Sequence, residues 1–263
     1  MSPWSAERIR IGLAPDRVDL ARLGFGPRRK AIRQHSVACA ATAGEAPWQA
    51  ALDALDAALA EFASRGGSVT VVLSNHWVRY AVLPWQPEVT SAAEVEQLAR
   101  LHFDRSFGPA AAGWTIRNCD KGYGAAHVAC AVDTALIAEL RARLAAHGLR
   151  LASLQPLLMA GYNEVRRSLT GNTALAVVEP GRVCLGLLDQ DRWIDIASRR
   201  AGADPALAIE QELATHGSAA PPRLDVLLVG EDTPWAERAG LPTRLLGRPD
   251  PGSRRSLAMC GAG

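Results

Sequence analysis

The stretch Ala174–Ser198, ALAVVEPGRVCLGLLDQDRWIDIAS, decides the fold. "ALAVVE" and "RVCLGLLD" are apolar runs flanking the two-residue turn Pro180-Gly181, and Asp189-Gln190-Asp191 separates them from "RWIDIAS". Short apolar runs bounded by turn residues predict a meander of three strands. Downstream, Asp204 is placed to cap a helix with Pro205 in its first turn, running through Leu207, Ile209 and Leu213 to Gly217. "RLDVLLVG", Arg223–Gly230, then reads as a buried strand.

The same order occurs earlier in the chain. "RIRIGL" places Ile9, Ile11 and Leu13 on one face of a half-buried strand, "APD" makes a tight turn, and "RVDLARL" continues in step. A third extended piece spans Ala31 to Ala38. In "WQAALDALDAALAEFASRGG", Trp48, Leu52, Leu55, Leu59 and Phe62 step by four and three, the spacing of a helix with one buried stripe. Gly66 and Gly67 stop it, and "SVTVVL" is a buried strand. Three strands, a helix and a strand thus occur in each half with little residue identity between them, the pattern of a duplicated fold.

A different unit lies between the halves. The strand Val78–Leu83 precedes a helix opened by the capping box Ser91-x-x-Glu94, then two strands near Trp114–Asn118 and Ala126–Val132. A helix capped by Asp133 carries Leu136, Leu140 and Leu144 to Gly148. "LRLASLQP" returns to the first half, helical residues Leu157 to Leu169 bridge to the second, and Gly171 marks the boundary.

At 263 residues the chain is long enough to bury a sizeable core. Its 48% hydrophobic and 21% charged residues are ordinary for a globular protein, and a net charge of +2 argues against nucleic acid as the main partner. Nearly all basic residues are arginine, lysine occurring only at Lys30 and Lys121. Five scattered cysteines without a CxxC pair give no framework for disulfides or zinc and favour a reducing compartment. The N-terminal MSPWSAERIRIGL lacks a signal-peptide core, and no run approaches the roughly 18 apolar residues of a membrane span. A cytoplasmic location is the expectation.

The duplicated halves with a small insert resemble the actin-like (ribonuclease H-like) superfamily, in its pilus and secretion branch. The similarity is to PilM-type type IV pilus assembly proteins and to the cytoplasmic part of GspL-type type II secretion proteins. It is carried by "VTVVLSNHWVRYAVLPW", "SAAEVEQLARLHFDRSFG" and "VACAVDTALIAELRARLAAHGLRLASLQP". The terminal "RRSLAMCGAG" resembles the last helix of the pilus protein, with no membrane anchor after it. The expected fold class is therefore α/β (α+β), with duplicated actin-like lobes and a β-α-β-β-α insert in the first. The expected boundaries are 1–77 with 149–170 for the first lobe, 78–148 for the insert, and 171–263 for the second lobe with its C-terminal helix.

Within this frame Ser74–Trp77 is the crossing from the first lobe into the insert. His76 has no Ser or Cys nucleophile with an orienting acid at a recognisable spacing, so it reads as part of a structural corner and no catalytic residue is assigned. The remaining histidines are isolated, without the pairing a metal needs, and "GFGPRRK" lacks the third glycine and following helix of a dinucleotide loop.

The resemblance implies a test for ATP. ATP-binding members hold phosphates in two hairpin turns and position Mg2+ with nearby carboxylates, the first turn reading Asp-x-Gly followed by Ser or Thr. Here it reads Arg10-Ile11-Gly12-Leu13-Ala14-Pro15, with a guanidinium in place of the carboxylate and a proline removing an N–H. The second turn, Glu179-Pro180-Gly181, keeps a carboxylate but adds a proline, and the adenosine-side Gly-Gly loop becomes Gly230-Glu231-Asp232. Residual nucleotide binding would fall on Glu179, Gly181 and Gly230, and a phosphate contact from Arg10 is conceivable in principle. The expectation is a degenerate site with neither cofactor nor metal.

The resemblance therefore implies a non-enzymatic cytoplasmic scaffold, peripheral to the inner membrane through its partners. It would dock the N-terminal cytoplasmic tail of a membrane-anchored assembly protein, with the assembly ATPase and a second copy of the chain as further partners. The tail would lie along Asn75, Arg79, Trp85, Leu98 and His102, using main-chain hydrogen bonds and apolar pockets. The alternative is an ATP-binding PilM-type protein whose nucleotide state regulates partner binding. A sugar-kinase relative is disfavoured for want of an Asp-x-Gly turn and a hydroxyl-activating base.

Overall fold

The alternation at the start of the chain becomes a strand because every second residue finds a core. Ile9, Ile11 and Leu13 of β1 (Glu7–Leu13) are all buried. Strands β2 (Arg17–Leu23) and β3 (Ala31–Ala38) follow as an antiparallel meander. Helix α1 (Gln49–Phe62) buries the stripe Leu52, Leu55, Leu59 and Phe62, and β4 (Gly67–Leu73) returns parallel to β1. A 3-10 turn over Asn75–Trp77 leads to β5 (Val78–Leu83), α2 (Ala92–Phe107), β6 (Trp114–Cys119) and β7 (His127–Asp133). Next come α3 (Thr134–Ala146), β8 (Leu149–Pro156) and α4 (Leu157–Val165). The chain then forms β9 (Thr173–Glu179), β10 (Arg182–Asp189), β11 (Arg192–Arg200), α5 (Pro205–Thr215), β12 (Leu224–Leu228) and β13 (Thr243–Leu246). The structure, a computed structural model, describes residues 7–24, 31–40, 44, 46–62, 66–119, 123–169, 171–215, 223–229, 243–246 and 256–260.

The duplication read from the sequence is present in the topology. One sheet runs β3-β2-β1-β4-β8 and another β11-β10-β9-β12-β13. In both, an antiparallel meander is joined at its first strand to two parallel strands. Strand β13 is thus the counterpart of β8. It was not legible in the sequence.

The chain divides into two units, residues 1–77 with 135–164 and 255–263, and residues 78–134 with 165–254. In the first, the β1–β4 sheet carries α1, and α3 buries Leu136, Leu140 and Leu144 completely. Arg143 of α3 pairs with Asp53 at 2.8 Å and with Asp56, both on α1, while His147 Nε2 stands 3.2 Å from Asp56. Asn75 is fully buried, and its Oδ1 accepts the Leu158 N–H at 3.2 Å. That bond satisfies one of the orphan donors in the first turn of α4.

In the second unit a three-stranded antiparallel sheet, β5-β7-β6, packs one face on α2 through Ala81, Leu83, Ala99, Phe103, Ile116, Ala129 and Ala131. Helix α2 starts with the expected capping box. Ser91 Oγ accepts the Glu94 N–H, and Glu94 Oε2 accepts the Ser91 N–H at 2.9 Å. The larger sheet of this unit packs Ala176, Val178, Val183, Leu185 and Val226 against Ile209 of α5.

The contact grouping draws its lines elsewhere than the expected boundaries, placing residues 78–134 and 165–170 with the second half and residues 135–148 and 255–263 with the first. Helix α3, expected in the insert, belongs with the first unit, where its leucine stripe is buried and Arg143 reaches α1. The C-terminal residues, expected as a helix of the second lobe, form a 3-10 turn over Leu257–Met259 that packs on β1 and β2 of the first unit.

Candidate functional site

The first hairpin turn is fixed by the C-terminal segment. On β1 the residues alternating with the core stripe, Arg10 and Gly12, face the turn at Leu257–Met259. Arg10 is buried, its Nε donating to the Ala258 carbonyl at 2.7 Å and its Nη2 to the Cys260 carbonyl at 2.5 Å. A Cβ on Gly12 would sit 2.6 Å from the Ala258 nitrogen and 2.6 Å from the Leu257 Cβ, so only glycine admits the segment this closely. Asp19, across from Gly12 on β2, accepts the Leu257 N–H at 2.8 Å on one oxygen and the Ser36 hydroxyl at 2.7 Å on the other. The Arg10 guanidinium is thus engaged by two backbone carbonyls of the C-terminal segment. Asp19, the carboxylate across from Gly12, is likewise engaged. The residues at this turn do not fit a magnesium–phosphate group.

At the second turn Gly181 has φ +73°, a conformation that favours glycine, and follows Pro180, which has no N–H to offer an anion. Glu179 is buried and pairs across the hairpin with Arg182. Its negative charge counteracts the downward pull that burial exerts on the Arg182 pKa. Cys184, on the same face, is fully buried and its thiol is pushed well up by desolvation, so it is a poor nucleophile. Gly230 lies outside the described residues, as do Glu231 and Asp232. Among the described residues no group of three His, Cys, Asp or Glu is placed to hold a metal ion.

The residues expected to bind a partner fall in both units. Asn75 belongs to the first unit and is wholly buried as a helix cap, so it offers no surface to a partner. Arg79, Trp85, Leu98 and His102 belong to the second unit. Leu98 packs on the α2 core and His102 lies exposed, edge-on to Phe103. Half-buried Trp85 meets exposed Tyr123 edge-to-face at 4.8 Å.

Arg79 lines a cavity of about 710 Å³ within the second unit. From β5 come Arg79 and Tyr80, and from the end of α2 comes Phe107. From β10 comes Arg182, from α5 Glu212 and Thr215, and β11 supplies six consecutive residues, Asp195 to Arg200. Consecutive residues of a strand point to opposite faces, so this cavity wraps around the outer edge of β11. Arg182 pairs across the sheet with Arg200 and donates to Ser198 Oγ at 3.0 Å. Burial lowers the pKa of Arg79, and Arg182 lowers it further. On the opposite face Arg199 is paired with Glu212 at 2.6 Å and feels Asp195, which holds its pKa up. Arg182 and Arg200 were missed in the sequence. Their trace was one arginine directly after the Pro180-Gly181 turn and another at the end of the third strand.

No family model matches the sequence, and no curated protein matches it. Solved structures do. The cytoplasmic domain of EpsL, an inner membrane component of the type II secretion system of Vibrio cholerae, is similar with a TM-score of 0.61 at 13% identity, covering 98% of this chain and 93% of that one. A PilM–PilN type IV pilus biogenesis complex gives a TM-score of 0.60 at 16% identity over 85% and 81% of the two chains. A protein of unknown function from Bacteroides thetaiotaomicron, described as having an actin-like ATPase fold, gives 0.57 at 10% identity over 88% and 87%. The fold is actin-like. The two five-stranded sheets are its duplicated halves, and the turns after β1 and β9 are equivalent positions in an actin-like chain. In both, side chains beside the turn are engaged within the protein.

Proposed function

We propose that the chain is a non-enzymatic scaffold of a type IV pilus or type II secretion-like assembly platform. In this reading it is cytoplasmic and binds the cytoplasmic tail of a membrane-anchored partner. The observation that carries it is the fate of Arg10. A residue standing where the resemblance implies a metal-facing carboxylate is a positive group locked to the Ala258 and Cys260 carbonyls. Such a turn supports architecture in place of phosphoryl chemistry. The fold-level likeness to the EpsL cytoplasmic domain and to PilM supports the assembly context. Among the described residues, no helix is long and apolar enough to cross a membrane.

Calorimetry with millimolar Mg-ATP tests the enzymatic half of the reading. We expect no saturable heat and no ligand-dependent rise in melting temperature. A shift of several degrees would establish the nucleotide-regulated alternative. Restoring the carboxylate with Arg10→Asp is expected not to create binding, since it breaks the C-terminal clamp and leaves both prolines in place. The partner half is tested by capture of the membrane protein's tail on wild-type chain and on Arg79→Glu and Trp85→Ala variants. Full retention by folded variants would remove these residues from the docking surface.

A further inference from the structure

We infer that the outer edge of β3 is a self-association surface, where a second copy of the chain adds its own β3 antiparallel about His35 and joins two first sheets into one. The surface lies in the first unit, apart from Arg79 and Trp85 of the second, so it goes beyond the scaffold reading without resting on it. Strand β3 ends its sheet, pairing with β2 on one side, and among the described residues no strand pairs with its other side. The two halves build this edge alike. In each, the third strand of the meander carries a bulged isoleucine turned out to solvent, Ile32 at 68% exposed and Ile194 at 58%. They differ in what lies beyond. Strand β11 is flanked by β5 and buries Trp193 and Ile196, whereas no residue of β3 is buried. An edge of this kind presents a row of main-chain donors and acceptors to another strand. The usual safeguards are sparse. No proline stands between Ala31 and Ala38, the bulge interrupts only the start of the strand, and its one arginine, Arg33, lies over the Phe62 ring at 4.8 Å.

The strand's own sequence decides what the edge takes. A two-fold axis perpendicular to the sheet preserves its faces, so each residue must meet one from the same face. Centring the pair on His35 sets Gln34 beside Ser36 of the second copy and Ile32 beside Ala38 of the second copy, polar against polar and apolar against apolar. All four of these residues are exposed, and their polarity reads the same in both directions. Each match therefore occurs twice. Centring on Gln34 or on Ser36 would instead set an apolar residue against a polar one. On the other face His35 meets its own counterpart, each ring lying against Phe62 of its own chain, and Arg33 meets Val37 of the second copy. The two Arg33 residues then stand four positions apart, roughly 13 Å, beyond the screening length of about 8 Å at physiological salt. A net charge of +2 adds little repulsion between copies.

The test is sedimentation velocity of the full chain across the micromolar range. We expect a monomer–dimer equilibrium that Gln34→Lys weakens about tenfold, because it sets two ammonium groups about 8 Å apart across the new pair. Gln97→Lys, the same change at an exposed position of α2, is expected to associate as wild type does. The register is read with a short bis-maleimide crosslinker. His35→Cys should give dimer above the wild-type level set by the native cysteines, whereas Ile32→Cys, with its two copies about 20 Å apart, should not. A wild-type chain that stays monomeric would overturn the proposal. So would equal association by Gln34→Lys and Gln97→Lys, or crosslinking through Ile32→Cys in place of His35→Cys. Loss of the membrane partner's tail in Gln34→Lys without any wild-type dimer would give the edge to a partner strand and likewise overturn it. Arg79→Glu and Trp85→Ala are expected to leave self-association unaltered, so the scaffold reading and the self-association surface fail separately.

Discussion

Trp193 and Gly186 show how closely single residues determine the second sheet. The indole lies over Gly186, where an added Cβ would come 2.3 Å from its Cζ3. The contact sits beside the irregularity at Leu187/Leu188, where Ile194 is left out of the pairing and exposed. Gly186→Ala must therefore displace the ring, and overpacking of this kind costs about 1–3 kcal/mol. We expect a fall of several degrees in melting temperature, largely recovered when Trp193→Leu is added. An Ala variant as stable as wild type would show that the ring moves freely. The sequence made the "GRVCLGLLD" strand legible but gave no reason for a glycine inside it, since the cause is a ring on the neighbouring strand. Arg10 was similarly half-legible. Its departure from an acidic turn could be read directly, whereas its hydrogen bonds lie 248 and 250 residues away in the chain.

Secondary-structure elements were most legible where their signals are local. The capping box of α2 and the Pro180-Gly181 hairpin rest on residues within four positions of one another, and both are present. By contacts α3 groups with the first unit, which its leucine stripe did not indicate, since such a stripe specifies a buried face without saying which core receives it. The corner at Asn75 is a further example, since its polar residues resemble a binding site. Instead Asn75 caps α4 from 83 residues away. Asn75→Ala removes that bond from a fully buried position and is expected to cost about 1–2 kcal/mol, visible as a lower denaturation midpoint. The cap of α2 also has a pH signature. Hydrogen bonds from the Thr90 and Ser91 backbone hold the Glu94 pKa below its usual value. A lowered folded-state pKa gives stability that is present above the ordinary carboxylate range and lost as pH falls through the folded value. The stability difference between wild type and Glu94→Gln should therefore shrink on acidification and be constant near neutrality.

At the scale of the whole molecule, contacts spanning 238 to 250 residues of sequence join β1 and β2 to the Ser256–Cys260 segment. Arg10, Gly12 and Asp19 present two hydrogen-bonding side chains and one missing Cβ to that turn. Closing a loop of this length carries a large chain-entropy cost that a few hydrogen bonds repay only once the sheet exists to receive them. The clamp should therefore form after the folding transition state. Deleting the chain from Ser256 onward would leave the Arg10 guanidinium and an Asp19 oxygen without these partners, and buried charged groups stripped of hydrogen bonds are strongly destabilising. Arg10→Ala is the milder form of the same change, with an expected loss of about 2–3 kcal/mol. Both should accelerate unfolding in denaturant while leaving the refolding rate nearly unchanged, the pattern of contacts made late. Stopped-flow measurements on the two variants would decide the matter. Slowed refolding with an unaltered unfolding rate would mean that the chain ends meet early and that the C-terminal turn helps to nucleate the first sheet.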